Sequence, residues 1–247
     1  MLNDNWSDKI NTARSIIGKV LKDFKIPVSL FKKEPGKDED GVDLSCYASL
    51  YISNYKKATR IPVKNLKYLN SGLVPITMYG FLKGMENLII VPKLELDTSN
   101  CMDFAASFSY LNDLEQINLH WLRGTHATSL DEMFYRDYNL EAVDLSKFNA
   151  NRVLSATHMF AFDRKIKEID LSGIDTSTIK YWSFMFYKCE KLERIKGVLD
   201  FSNMVAANNI FGGTSMLLSD VKVRNIGDRK AFEKWSGLNS NQYTIVD

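Results

Sequence analysis

The chain has 247 residues, 45% of them hydrophobic, and a formal net charge of +2. That composition can bury a substantial core, and a balance so close to neutral excludes the strong field expected of a nucleic-acid or anionic-membrane binder. The three cysteines, Cys46, Cys101 and Cys189, are too few and too irregularly spaced for a disulfide framework.

Met1 runs into polar Asn3-Asp4-Asn5 with no apolar stretch behind it, which predicts cytoplasmic synthesis without a signal peptide and no membrane insertion. Residues 6–24 then carry Trp6, Ile10, Ala13, Ile17, Val20, Leu21 and Phe24 at helical spacing, with Ser7 at the start and Pro27 beyond the end. Two strands come next, over 26–31 and 42–52, around the charged turn 33–41. In the second strand Val42, Leu44, Cys46, Ala48, Leu50 and Ile52 alternate with polar or aromatic residues, among them Tyr47 and Tyr51. Residues 1–78 hold thirteen Lys/Arg against eight Asp/Glu. They read as a small α+β element that either caps the remainder of the chain or docks it to an assembly. The acidic turn 38–43 lacks the spacing and the final carboxylate of a calcium loop.

From residue 79 the pattern changes. Phe108, Phe134, Phe160 and Phe186 stand at a constant interval, with Leu82 one period earlier and Phe211 one period later but a residue short. Counted from these anchors, six positions on come Leu88, Leu114, Leu140, Ile166 and Leu192; nine on come Val91, Ile117, Val143, Ile169 and Ile195. Eleven on come Leu119, Leu145 and Leu171, and fourteen on come Leu96, Leu122, Phe148 and Ile174, while Lys93 and Gly197 interrupt the eleventh position in the flanking units. Positions nine and eleven share one face of a strand, which predicts short strands over 115–119, 141–145 and 167–171. A strand that short cannot bury its apolar face alone. Stacking equal units joins the strands into a parallel sheet and the anchors into a ladder of rings, with Met133, Met159 and Met185 as filler. The second half of each unit, such as 149–160 or 175–186, has apolar residues three and four apart and predicts a short helix or helical turns. The fold expected is an α/β solenoid, leucine-rich-repeat-like, with about five to six coils over 79–215. Residues 216–247 form a C-terminal cap with a short helix at 228–235 and a strand at 243–246.

The run Met133-Phe134, Leu140, Val143-Asp144-Leu145-Ser146, Phe148, Met159-Phe160 resembles the repeat of BspA-like leucine-rich-repeat surface proteins. So does the next, Ile169-Asp170-Leu171-Ser172-Gly173-Ile174 through Met185-Phe186-Tyr187-Lys188-Cys189. The resemblance covers roughly 80–215. The unit from Leu82 lacks the Met-Phe pair, and the unit from Phe108 has Asn118-Leu119-His120 where Asp-Leu-Ser is usual. What the resemblance implies is adhesion or protein binding by the repeat surface, in bacterial, protozoan and phage-encoded proteins, with no shared catalytic residues.

No residue pattern in the sequence carries recognisable catalytic chemistry. His120 and His126 have no further ligand at zinc spacing, and Cys189 falls where a core-lining thiol belongs. Asp144 and Asp170 are one period apart, which repeat geometry explains without a glycosidase. Phe211-Gly212-Gly213-Thr214 lacks a P-loop lysine. No catalytic residue, metal or cofactor is therefore expected. The candidate binding surface is the outward strand positions Asn118, His120, Asp144, Asp170 and Lys196, together with the out-of-phase aromatics Trp121, Tyr135 and Tyr187. Tyr110, Tyr138, Phe162 and Tyr181 are also out of phase. The expected function is non-enzymatic interaction, adhesion or assembly, with a protein or a glycan as partner, no nucleic acid, and an oligomer or larger assembly as context. A surface-exposed family without an export signal suggests a virion accessory (tail, collar or capsid) protein. The alternatives are an intracellular scaffold or inhibitor and, last, a glycan-active enzyme.

Overall fold

The computed structural model describes residues 77–89, 91 and 97–247. The helix expected at 6–24, the strands at 26–31 and 42–52 and the turn between them lie outside the described residues, as do Lys93 and Leu96. Thr77 and Met78, assigned from sequence to the N-terminal element, already belong to the stacked units: Thr77 bridges to Asp103 and Met78 is fully buried.

Six short strands and one α-helix are present among the described residues: β1 Ala142–Asp144, β2 Glu168–Asp170, β3 Arg194–Lys196, β4 Val198–Asp200, β5 Val221–Arg224, α1 Arg229–Ser236 and β6 Tyr243–Ile245. They form two parallel three-stranded sheets, β1-β2-β3 and β4-β5-β6. In the first sheet the partners are Val143, Ile169 and Ile195, the ninth residue past successive anchors. Bridges at Gln116↔Ala142 and Val91↔Ile117 carry the same ladder toward the N-terminus. A second parallel ladder runs through Thr77, Asp103, Ser129, Ser155, Tyr181 and Ala206. Each return of the chain therefore lies on the one before, in the register set by the sequence period.

The aromatic anchors stack inside. Centroid separations are 5.6 Å for Phe108–Phe134, 5.2 Å for Phe134–Phe160, 5.7 Å for Phe160–Phe186 and 5.0 Å for Phe186–Phe211, with interplanar angles no larger than 17°. At the first unit Phe81, not Leu82, meets the column, edge-on to Phe108 at 6.4 Å. Ser107, which replaces the usual Met, is buried and donates through Oγ to the carbonyls of Met78 and Phe104. Two glycines are required by close approach: a Cβ on Gly173 would lie 2.2 Å from the Leu145 carbonyl oxygen, and one on Gly124 would lie 2.3 Å from the Phe148 ring.

The helical turns expected in the second half of each unit are not helices. Among the described residues, helical geometry appears there only as the 3-10 helix Thr176–Thr178, capped by Asp175. Elsewhere the backbone alternates two kinds of bond around each anchor. Leu130, Glu132, Phe134 and Arg136 donate N–H groups to Ser155, Thr157, Met159 and Ala161 of the next coil, while Met133, Tyr135 and Asp137 donate three residues back. With these groups satisfied partly between coils, no i→i−4 ladder forms and no helix results. The turns also place left-handed residues two before and two after the anchor: Ala106 and Tyr110, Glu132 and Arg136, His158 and Phe162, Phe184 and Lys188. Such residues interrupt a right-handed helix.

At the C-terminal end the expected helix and strand are present. Asp228 accepts the Ala231 N–H at the start of α1, and Gly237 ends it in left-handed geometry. Phe232 and Tyr243 join one apolar core that begins at Met78.

Candidate functional site

Two surfaces carry the residues singled out from sequence. On the strand face, Asn118 Oδ1 accepts the His120 N–H (3.1 Å), Asp144 Oδ1 accepts the Ser146 N–H (2.8 Å) and Asp170 Oδ1 accepts the Ser172 N–H and Oγ–H (2.9 and 2.6 Å). These are Asx turns that close β1, β2 and the bridged segment at 116–117, and they give the Asp-Leu-Ser motif a local purpose. The second carboxylate oxygen pairs along the ladder. Asp144 Oδ2 meets His120 Nε2 at 3.1 Å, and Asp170 Oδ2 lies 4.0 Å from Lys196 Nζ. Glu168 joins both Arg194 (3.1 Å) and Lys196 (2.5 Å). The Ser146 side chain first, then His120 and the Ser146 N–H, hold the Asp144 carboxyl down at about 2. The Glu168 carboxylate holds the Lys196 ammonium above its ordinary range. The strand-face groups thus spend their hydrogen-bonding capacity on one another.

Trp121 does not belong to a surface. It is 7% exposed, and its Nε1–H donates to the Asn118 carbonyl at 2.9 Å. The strand expected over 115–119 is reduced to bridges at Gln116 and Ile117. The chain then turns, the Leu122 N–H donating to the Leu119 carbonyl, and the indole folds back over the apolar core, an outcome that an out-of-phase position in the sequence does not reveal.

Tyr135 and Tyr187 sit on a different surface, the edge formed by the left-handed turns. There Tyr110, Tyr135, Phe162 and Tyr187 succeed one another edge-to-face at 5.5, 5.8 and 5.5 Å. His158 stacks on Phe184 at 4.9 Å, and Phe184 meets Tyr187 at 5.4 Å. All of these rings are half-buried. The Arg136 guanidinium is embedded among them, 5.7 Å from Tyr110, 5.1 Å from Tyr135 and 5.3 Å from Phe162, and its Nε is buried without a partner. Lys188 lies 5.9 Å over Tyr187. The left-handed φ at positions 110, 136, 162 and 188 is what turns these side chains outward from beside a buried anchor. Arg136 and Lys188 were not among the sequence candidates; their shared place two residues past an anchor is the signal that identifies them.

Behind this edge, three residues past the anchor, Asp137 and Asp163 are fully buried. Asp137 Oδ1 accepts the Leu111 N–H and Asp163 Oδ1 the Asp137 N–H, both at 2.8 Å, while the two Oδ2 atoms have no partner. Burial pushes both carboxyls well above the usual carboxylate range. Cys189 is at the same place in the next unit and donates to the Phe160 carbonyl at 3.1 Å. Burial raises its thiol as well. No group of three or more metal-ligating side chains occurs among the described residues, and none of their helices is long and apolar enough to cross a membrane.

Residues 102–223 match the family model described as a Mycoplasma protein of unknown function, DUF285. The DUF285-like stretch includes the anchors from Phe108 to Phe211 and the whole turn edge from 110 to 188. No curated protein and no solved structure matches the chain. The DUF285 description assigns no activity, so the surface chemistry has to carry any functional reading.

Proposed function

We propose that the stacked units constitute a leucine-rich-repeat-like solenoid of the BspA-like kind, and that the protein is a non-enzymatic recognition component binding its partner on the turn edge. The overlap between the DUF285-like stretch and the BspA-like repeats supports the first part. The observation that carries the second is the edge itself: four half-buried rings in file with a guanidinium set among them. Aromatic residues and arginine dominate binding hot spots, whereas the strand-face carboxylates and cations are committed to internal pairs. The partner is a protein or a glycan, and the proposal holds on a cell surface or a virion alike.

The test is a panel of immobilised extracellular proteins and polysaccharides, probed with the full chain, with Tyr135→Ala/Tyr187→Ala, and with Asp170→Asn on the strand face. Binding lost in the edge variant and kept in the strand variant is expected, with both variants melting cooperatively. A panel on which wild type and edge variant never differ would refute the reading.

A further inference from the structure

The turn edge has a longer period than the coil. Two residues past successive anchors the chain reads Gly84, Tyr110, Arg136, Phe162, Lys188, Gly213, so that ring and cation alternate from coil to coil. One residue past them it reads Lys83, Ser109, Tyr135, Ala161, Tyr187, Gly212. From Ser109 to Lys188 a tyrosine stands wherever its neighbour is a cation, and a small residue wherever its neighbour is a ring. The surface pattern therefore recurs every second coil. Nearby charges partly cancel: Lys83 pairs with Glu132 at 3.9 Å and Arg164 with Glu190 at 3.7 Å. Among the described residues Arg136 and Lys188 are in no ion pair, so they are cations left to meet a ligand.

We propose that this edge binds a linear acidic polysaccharide whose repeating unit is a disaccharide bearing one carboxylate, laid along the stack with one sugar per coil. This rests on the recognition reading above and names its ligand. Neighbouring strands stand about 4.7–4.9 Å apart, which puts Arg136 and Lys188, two coils apart, roughly 10 Å from each other. Two linked pyranose rings in an extended glycan span a closely similar length, so two successive uronates meet Arg136 and Lys188 while the intervening sugar faces meet rings. Other polymers fall out of step. Side chains on one face of an extended peptide recur every ~6.6–6.8 Å, and a duplex strand presents a charge every ~3.4 Å. The guanidinium fork fits a carboxylate through two N–H donors, and the aromatic faces pack against the C–H faces of the sugars.

Isothermal titration of the full chain tests this with three probes: a hyaluronan decasaccharide, the same oligosaccharide with its carboxylates reduced to alcohols, and a single-stranded oligonucleotide of equal charge. Binding of the decasaccharide is expected, weakened by about tenfold or more on carboxyl reduction, in Arg136→Ala and in Lys188→Ala, as loss of a charge-assisted pair requires. Lys188→Ala serves as the second variant should Arg136→Ala lower the melting temperature. Absence of decasaccharide binding, or equal binding of the reduced oligosaccharide or the oligonucleotide, overturns the inference. If the panel described above still shows edge-dependent binding, the ligand class alone has failed; if it does not, the recognition reading has failed with it.

Discussion

Phe160 has one ring above it at 5.2 Å and one below at 5.7 Å, both within 8° of parallel. Truncating it to alanine opens a gap inside a column whose neighbours are fixed by their own backbone ladders, so little collapse can fill it. Phe160→Ala is expected to cost about 3–5 kcal/mol in denaturant unfolding; a loss below about 1 kcal/mol would mean that the column does not bear on stability. The buried acids have the opposite character. Because burial raises the folded-state pKa of Asp137 and Asp163, their contribution is most favourable below the unfolded value near pH 4 and is lost as pH rises through the folded value. Asp163→Asn keeps an acceptor for the Asp137 N–H and cannot ionise. Its stability should fall less than wild type's between about pH 4 and neutral, as urea titrations at several pH values will read. Asp144 acts in the other direction: its depressed pKa, about 2, gives stability that is present above about pH 4 and disappears as pH falls through the folded value.

At the scale of the element, the turn is what distinguishes this chain from a stack of helices. Non-glycine residues with positive φ recur at Ala106, Tyr110, Glu132, Arg136, His158, Phe162, Phe184 and Lys188. Left-handed geometry costs an L-residue about 1–2 kcal/mol, offset here by the N–H bond each of them makes to the next coil. None of the eight is β-branched. Glu132→Gly, which relieves the strain and gives up only an exposed 3.9 Å pair with Lys83, should raise stability by about 0.5–1 kcal/mol after the entropy of glycine is subtracted. Glu132→Val should lower it. Equal melting temperatures for the two would show that the turn is not under this constraint.

Across the whole molecule the apolar phase of the repeat was legible because periodicity reports burial directly. Val143, Ile169 and Ile195 pair as their spacing implies, and Asp228 and Gly237 bound α1 as their residue types imply. The turn edge was legible only in part. Tyr135 and Tyr187 stood out as aromatics, but Arg136 and Lys188 looked like ordinary surface charge, since nothing in composition tells an outward cation from one set among rings. Asp137 and Asp163 were missed because a carboxylate inside the column is stabilised by a backbone N–H from the preceding unit, a contact with no sequence signature. Of the short helices or helical turns expected in 149–160 and 175–186, helical geometry is present only at Thr176–Thr178, because spacings of three and four also arise from successive turns bonded between coils. At the C-terminal end, Phe201 lies under Phe232 at 5.7 Å and Trp235 at 5.4 Å, and β6 covers β5. Deleting 229–247 uncovers that end, and open repeat ends self-associate, so sedimentation should detect oligomers that the full chain does not form. The two-coil rhythm of the edge also bears on how such a chain can grow. Duplicating a pair of units would extend the proposed binding track in phase, with every new cation beside a new tyrosine, whereas duplicating a single unit would set arginine against arginine and break the alternation. Lengthening by pairs preserves the surface pattern; lengthening by ones erases it.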